Sequence, residues 1–162
     1  MKVAEFKGGS PQFVLEDYFM GETRAWGIFE DRFGNLRKQF YVSIQGVWEQ
    51  DEFVLDEKFS YHDGETDQRV WRIRQPQNAR YEGTADDVIG VARGEASGNA
   101  LRWRYKMSLK IASRSWTVAF DDWMFLQQDG VLINRAKVSK WGIKLGEATI
   151  FFMKDASGTI TT

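Results

Sequence analysis

Hydrophobic and polar residues alternate along most of this chain, and the alternation is clearest between residues 101 and 111. One parity holds Leu101, Trp103, Tyr105, Met107, Leu109 and Ile111, and the other holds Arg102, Arg104, Lys106, Ser108 and Lys110. A period of two residues is typical of a β-strand with one buried face and one solvent-exposed face. Shorter runs of the same kind recur on both sides of this segment, so the chain is predicted to be built of strands.

Short turn sequences separate these runs. Asp63-Gly64, Gly98-Asn99 and Asp129-Gly130 are residue pairs that tolerate a positive φ and close two-residue hairpins, and Phe33-Gly34-Asn35 marks a fourth turn. Strands joined by such turns are antiparallel neighbours. Nine or ten strands are predicted, near 22–31, 36–48, 52–62, 65–75, 79–86, 90–97, 100–112, 115–127, 131–140 and 145–154.

A meander of this length with one apolar face has to close or split into two sheets, and closure removes exposed strand edges. The predicted fold class is therefore all-β: an antiparallel up-and-down meander closed into a lipocalin- or calycin-like β-barrel of about eight to ten strands. Residues 1–10 are predicted as a flexible leader, 11–154 as a single barrel domain, and 155–162 as a flexible tail. Ser10 and Pro11 predict a short helix over residues 11–19 with Ser10 as its N-cap.

Composition narrows the function classes. The chain has 22 basic and 23 acidic residues and a net charge of −1, which argues against a general nucleic-acid binder. No apolar stretch is long enough to span a bilayer. The absence of cysteine from the sequence removes thiol catalysis and thiolate metal sites. Aromatic residues make up 15% of the chain, which suits strands and an apolar interior.

The adjacent acids Asp121 and Asp122 lie in a predicted strand that is apolar on both parities, so one of them must point inward. A buried carboxylate has to be paired or protonated. If Asp129-Gly130 forms a two-residue loop, Asp122 faces Lys137, with Arg135 diagonal to it on the same face. This favours an internal ion pair, with a binding or catalytic role as the alternative.

Other polar groups carry weaker signals. Asp86-Asp87 is interpreted as a polar loop rather than a paired-carboxylate or metal site, and His62, the sole histidine of the sequence, as an exposed turn residue. No serine or cysteine nucleophile motif accompanies the histidine, so no catalytic triad is predicted. The basic and aromatic residues of 102–106 alternate onto opposite faces, which disfavours a single-stranded nucleic-acid site.

Taken in order, several motifs give the chain a resemblance to the DUF3833 family of bacterial proteins, which are described as lipoproteins. They run from about residue 18 to 154: Tyr18-Phe19-Met20-Gly21, Asp63-Gly64-Glu65 with Arg69 and Trp71, Gly83-Thr84-Ala85-Asp86-Asp87-Val88, Gly98-Asn99-Ala100-Leu101-Arg102-Trp103, Asp121-Asp122-Trp123-Met124, and Leu132-Ile133-Asn134-Arg135 with Lys140. The resemblance implies a location in the bacterial envelope or periplasm and a lipidated N-terminal cysteine. The sequence shows neither a signal peptide nor a cysteine, as a trimmed form would. The family's association with lipid-modifying enzymes favours a lipophilic ligand.

The function predicted from these observations is a lipocalin-like binding module for an apolar or amphipathic small molecule, a fatty acid or lipid, in the bacterial envelope. The alternative is a structural or interaction protein of the envelope whose barrel is filled by its own side chains. A barrel-type enzyme that uses Asp121 or Asp122 with Arg135 is less favoured. The predicted ligand-binding residues are Trp103, Tyr105, Asp122, Arg135 and Lys137, with no catalytic residue, cofactor, metal, nucleic-acid partner or membrane span.

Overall fold

A computed structural model describes residues 1–111 and 113–154, except for the side chain of Ile111. The predicted tail 155–162 and the last residue of the predicted strand 100–112 lie outside the described residues. Ten strands follow one another along the chain: β1 (Gly21–Asp31), β2 (Leu36–Glu49), β3 (Glu52–Tyr61), β4 (Thr66–Gln77), β5 (Arg80–Thr84), β6 (Val88–Ser97), β7 (Ala100–Ile111), β8 (Arg114–Leu126), β9 (Val131–Lys140) and β10 (Ile143–Lys154).

The ten strands close into one antiparallel barrel in which each strand pairs with its sequence neighbours and β1 pairs with β10. The predicted fold class, an up-and-down lipocalin-like barrel, is confirmed. Closure pairs both terminal strands, so neither is left as an exposed edge.

Alternation decides which side chains enter the barrel. In β7 the residues Leu101, Trp103 and Met107 are buried, whereas Arg104 and Lys106 are exposed, as predicted. Across the β6–β7 hairpin Glu95 pairs with Arg102, the register that the predicted two-residue turn Gly98-Asn99 requires.

Strand β1 places the large apolar side chain of Trp26 outside the barrel. Trp26 is 41% exposed, and the neighbouring inward position is Gly27. A side chain at Gly27 would collide with the Phe40 ring. The space inside the wall at this level is therefore filled from β2, and the indole of Trp26 packs against Tyr41 on the outer face with 6.0 Å between ring centroids.

The predicted register between β8 and β9 is wrong by one residue. Asp121, not Asp122, is the cross-strand partner of Lys137, and Asp122 faces Ala136. The turn explains the error: residues 128–130 form a short 3₁₀ turn in which Asp129 has a φ of 61°. Three residues rather than two therefore separate Gln127 from Val131, whose backbones are hydrogen-bonded. A one-residue slip moves every side chain to the other face.

The N-terminal segment packs across one end of the barrel. A 3₁₀-helix spans Val3–Phe6, and α1 spans Leu15–Tyr18. The predicted helix 11–19 is therefore shorter than expected, and its predicted cap Ser10 is wrong because α1 begins after Val14. No helix among the described residues is long and apolar enough to cross a membrane.

Candidate functional site

The barrel encloses a cavity of about 560 Å³ that is closed at one end and open at the other. Leu15 and Phe19, both buried, form its floor. The Tyr18 hydroxyl ties this floor to the barrel by donating a 2.7 Å hydrogen bond to the Gly130 carbonyl. At the opposite end the lining residues are exposed, which makes that end the mouth: Arg37, Lys38, Glu65, Thr66, Asp67 and Lys110.

Aromatic rings form much of the cavity wall. Trp71 lies edge-on to both Trp103 and Tyr105, with centroid distances of 5.4 and 5.2 Å, and Tyr105 stacks on Phe120 at 4.9 Å. All four rings line the cavity. An indole and phenol wall of this kind offers apolar area with fixed geometry to an apolar ligand.

Trp103 owes its position to two glycines. A Cβ atom added at Gly94 would lie 2.5 Å from the indole, and one added at Gly83 would lie 2.8 Å from it. These two positions on β6 and β5 therefore form a notch that holds the ring against the wall and leaves the centre of the barrel open.

A charged cluster sits in the wall toward the mouth. Arg69 makes a two-pronged contact with Asp87, its Nε and Nη2 donating hydrogen bonds of 3.1 and 3.0 Å, and its Nη1 lies 4.0 Å from Glu57. The Arg69 side chain is 15% exposed and its guanidinium lies over the Phe59 ring. Burial raises the pKa of Glu57 to about 7, against the opposing effect of Arg69.

Asp122 lies deeper, on the wall formed by β8 and β9. It is 6% exposed, and burial raises its pKa to about 8, while Asn134 acts in the opposite direction. At neutral pH this carboxyl is therefore mostly protonated and uncharged. Asp122 Oδ1 and Asn134 Oδ1 are buried without a hydrogen-bond partner among the described residues.

The structure brings together three of the five predicted ligand-binding residues. Trp103, Tyr105 and Asp122 line the cavity, and ligand binding by them stays a prediction. Arg135 and Lys137 do not line it, because the register places both on the outer surface. Arg135 there donates hydrogen bonds to Glu147 at 3.0 and 2.7 Å. The predicted Asp122–Lys137 ion pair is therefore wrong.

Asp121, Asp86 and His62 lie outside the lumen. Asp121 faces outward and is held by Arg102 at 2.8 and 2.7 Å, which lowers its pKa. Asp86 and His62 are exposed. Asp121 and Asp122 thus lie on opposite sides of the wall, so they cannot act as a catalytic pair on one substrate.

Sequence reasoning missed Glu57 and Arg69, although one signal was present. Glu57 shares its parity with Phe53, Leu55 and Phe59, and Arg69 shares its parity with the buried Trp71. A single charge within an otherwise apolar parity indicates a charge that points into the barrel, and the two residues are cross-strand partners.

Comparisons with known proteins agree with this fold. The profile of the DUF3833 family, described as a protein of unknown function, matches residues 1–154. No curated protein matches the chain. Among solved structures, the S-type phycobiliprotein lyase CPES of Guillardia theta is similar with a TM-score of 0.64 and 9% sequence identity, over 88% of this chain and 91% of that protein. At this identity the similarity concerns the fold.

Proposed function

Since the chain belongs to the DUF3833 family, whose description assigns no activity, we propose from its geometry that it is a binding module for one apolar or amphipathic small molecule of the fatty-acid or lipid class. The observation that carries this proposal is the cavity of about 560 Å³ with a closed floor and an open mouth. Small-molecule sites typically occupy about 300–1,000 Å³ and are mostly apolar.

The same cavity argues against the alternative of a filled structural barrel. A barrel packed by its own side chains has few voids larger than a water molecule. Here Ala136 and Ala148, two of the smallest side chains available, face each other across β9 and β10 and both line the cavity. Space is left open at positions where larger residues would fill it.

The polarity of the lining suggests how such a ligand would lie. The aromatic wall around Trp71 and Trp103 suits an apolar chain that enters toward the floor at Phe19. Lys38 and Lys110 at the mouth suit a carboxylate or phosphate head group that remains partly hydrated. The proposal includes the envelope location that the family resemblance implies. The similar barrel is named as a lyase, but at 9% sequence identity that activity is not transferred to this chain.

The test is a titration of delipidated protein with stearate, followed by tryptophan fluorescence, because Trp71 and Trp103 both line the cavity. Ala136→Phe fills the lumen, and Ala119→Phe adds the same ring to a position of the opposite parity on β8. We expect saturable one-to-one binding by the wild type and Ala119→Phe, and its loss in Ala136→Phe. Absence of wild-type binding, or unchanged binding by Ala136→Phe, would overturn the proposal.

A further inference from the structure

Deep in the lumen, the side-chain oxygens Asp122 Oδ1 and Asn134 Oδ1 are buried without a hydrogen-bond partner among the described residues. We infer that the ligand carries a hydroxyl or N–H group along its apolar body, which donates hydrogen bonds to Asp122 and Asn134. This inference rests on the proposed function and specifies the class of ligand.

The two residues meet at one point of the wall. Asp122 pairs with Ala136, and Asn134 pairs with Met124, so the two side chains are diagonal neighbours on the inner face of β8 and β9. They are 6% and 2% exposed, and both line the cavity. Asp122 Oδ1 and Asn134 Oδ1 have no hydrogen-bond partner among the described residues.

Among the described residues no cation forms an ion pair with the Asp122 carboxyl, although the charge of Arg69 acts to lower its pKa. Its cross-strand neighbours on the two sides are Trp103 and Ala136, and Lys137 points to the outer surface. Ala136, the cross-strand neighbour of Asp122, has a small side chain and also lines the cavity. Glu57, a partly buried acid of the same wall, differs because Arg69 lies 4.0 Å from it.

Buried acceptors without donors are costly, and they discriminate between ligands. A plain acyl chain laid against Asp122 and Asn134 leaves both oxygens unsatisfied in an apolar environment, whereas a hydroxyl or N–H group restores their hydrogen bonds. Sites built to hydrogen-bond a ligand hydroxyl reject the analogue that lacks it far more strongly than apolar sites reject an extra methylene group.

Three matched probes test this inference: stearate, its mid-chain hydroxy derivative and its terminal hydroxy derivative. Their dissociation constants are measured by calorimetry for the wild type, Asp122→Leu, Asn134→Leu and the control Thr23→Val. Thr23 is the matched control because its hydroxyl is also buried and unpartnered, yet it does not line the cavity. The second variant, Asn134→Leu, keeps the test usable if Asp122→Leu fails to fold.

We expect at least one hydroxy derivative to bind the wild type and Thr23→Val about tenfold or more tightly than stearate, a difference of about 1.4 kcal/mol. Asp122→Leu or Asn134→Leu should remove that preference and bind stearate as well as the wild type does, or better. Equal binding of all three probes by the wild type overturns this inference and leaves the proposed function standing. Failure of every probe to bind overturns the proposed function itself.

A second observation, independent of the lumen, concerns the rim of the mouth. The loops β1–β2, β7–β8 and β9–β10 are adjacent because β1 pairs with β10 and β8 with β9. Residues 31–38, 110–114 and 140–144 contain one acid, Asp31, and the following cations: Arg32, Arg37, Lys38, Lys110, Arg114, Lys140 and Lys144. The other loops, 62–67 and 85–87, contain acids and no lysine or arginine: Asp63, Glu65, Asp67, Asp86 and Asp87.

The basic half of the rim also presents aromatic side chains to solvent. Trp141 is 86% exposed and Phe33 is 75% exposed, each at the tip of a hairpin. Each ring has a cation over it: Lys140 Nζ lies 4.5 Å from the Trp141 centroid, and the Arg32 guanidinium lies 4.8 Å from that of Phe33.

We propose that this basic half docks on an anionic lipid bilayer, so that the mouth opens next to the surface from which a lipophilic ligand would come. Interfacial aromatic residues with adjacent cations match the headgroup layer of a membrane. Cations near an anionic membrane are attracted to its surface potential. Arg37, Lys38 and Lys144 are paired with Asp31, Asp63 and Glu147, so the charge complementarity rests on the other cations of this half. Together with the position at the mouth, it favours a bilayer over a protein partner.

Co-sedimentation with vesicles tests this docking. Phosphatidylcholine vesicles with and without phosphatidylglycerol are compared for the wild type, for Phe33→Ala with Trp141→Ala, and for the control Trp48→Ala. Trp48 is 48% exposed but lies near the end of β2, at the opposite end of the barrel.

We expect the wild type and Trp48→Ala to bind the anionic vesicles, with at least tenfold weaker binding to neutral vesicles and at high salt. The double variant should bind at least tenfold more weakly than the wild type. Equal binding by the double variant, absence of binding to anionic vesicles, or a wild-type dimer that the double variant converts to a monomer would each overturn the proposal.

Discussion

Asp121 and Asp122 are consecutive in β8 and lie in opposite environments. Asp121 is on the outer surface, paired with Arg102 at 2.7 Å, and its pKa is lowered. Asp122 is 6% exposed in the lumen, and its pKa is raised to about 8 by burial. The two carboxyls therefore have opposite effects on the pH dependence of stability.

The pH dependence of stability follows from the sign of the Asp122 shift. Between about pH 4 and pH 8 the folded protein keeps a proton that the unfolded chain has lost, so the free energy of unfolding falls as pH rises through this window. Asp122→Asn removes this loss. We expect the free energy of unfolding of the variant, relative to that of the wild type, to increase by about 2–4 kcal/mol from pH 5 to pH 8, as measured by urea unfolding.

Asp121→Asn is the matched control. Its lowered pKa contributes stability that is present above about pH 4 and lost only as pH falls further. The variant should be less stable than the wild type by about 1 kcal/mol or less, by the same amount at pH 5 and pH 8, because the pair is partly exposed. A constant Asp122→Asn difference across the same interval would contradict the assigned burial of its charge.

Arg69 is the cation that holds the upper wall of the cavity together. Replacing it by Met removes the positive charge that faces Glu57 and Asp87. The Arg69 side chain is only 15% exposed, so water cannot replace the lost contacts fully. Removing one partner of a buried pair is strongly destabilising. We expect Arg69→Met to lower the free energy of unfolding by about 2–4 kcal/mol at pH 8, measured by urea denaturation.

Arg93 provides a comparison on the outer surface. It pairs with Glu82 at 2.9 Å, but the two side chains are 70% and 43% exposed. Arg93→Met should therefore cost less than about 1 kcal/mol. Equal costs for the two arginines would show that the Arg69 cluster is solvated rather than part of the wall.

Local sequence patterns predicted most strands of this barrel, but an error in one turn led to a wrong partner for Asp122. Alternation in β7 placed Trp103 and Tyr105 inside correctly, because strand parity depends on the residues themselves. The partner of Asp122 depended on the loop after β8, where a single extra residue in the turn exchanged inside for outside. Which lysine meets which aspartate was therefore not predictable from the dipeptide Asp129-Gly130.

The polar lining of the lumen was beyond sequence reasoning for a different reason. Glu57 is opposite Arg69 on the next strand, whereas a two-residue Asp63-Gly64 loop would place Val70 opposite Glu57. Asp87 reaches the same arginine from the β5–β6 loop, a contact between residues 18 positions apart that no alternation specifies. Contacts across the barrel depend on its closure and diameter, which local patterns do not encode.

The glycine notch makes a prediction about Trp103. Gly94→Ala places a methyl group 2.5 Å from the present position of the indole, so the ring must move toward the lumen. We expect a loss of about 1–3 kcal/mol in stability. We also expect weaker stearate binding and a changed tryptophan emission. Gly94→Ala combined with Trp103→Phe is the control, because the smaller ring vacates the notch and should recover part of the lost stability.

The barrel floor depends on an even closer contact. A Cβ atom at Gly46 would collide with the backbone carbonyl of Phe19, and it would lie 2.9 Å from the Phe53 ring. A backbone atom cannot move aside as a side chain does, so Gly46→Ala has to lift the floor segment from β2. We expect a loss of about 3 kcal/mol or more, at the upper end for overpacking.

Two measurements check this expectation. Limited proteolysis should cut Gly46→Ala faster than the wild type within residues 13–19, because the Tyr18 hydrogen bond to Gly130 and the contact of Phe19 with Phe152 are lost. Gly34→Ala is the control: its φ of 83° costs strain, but a Cβ there meets no atom within 4 Å. It should lose about 1 kcal/mol and keep the floor protected. If the two variants lose equal stability and neither floor becomes cleavable, the close packing of Gly46 under Phe19 does not hold the floor in place.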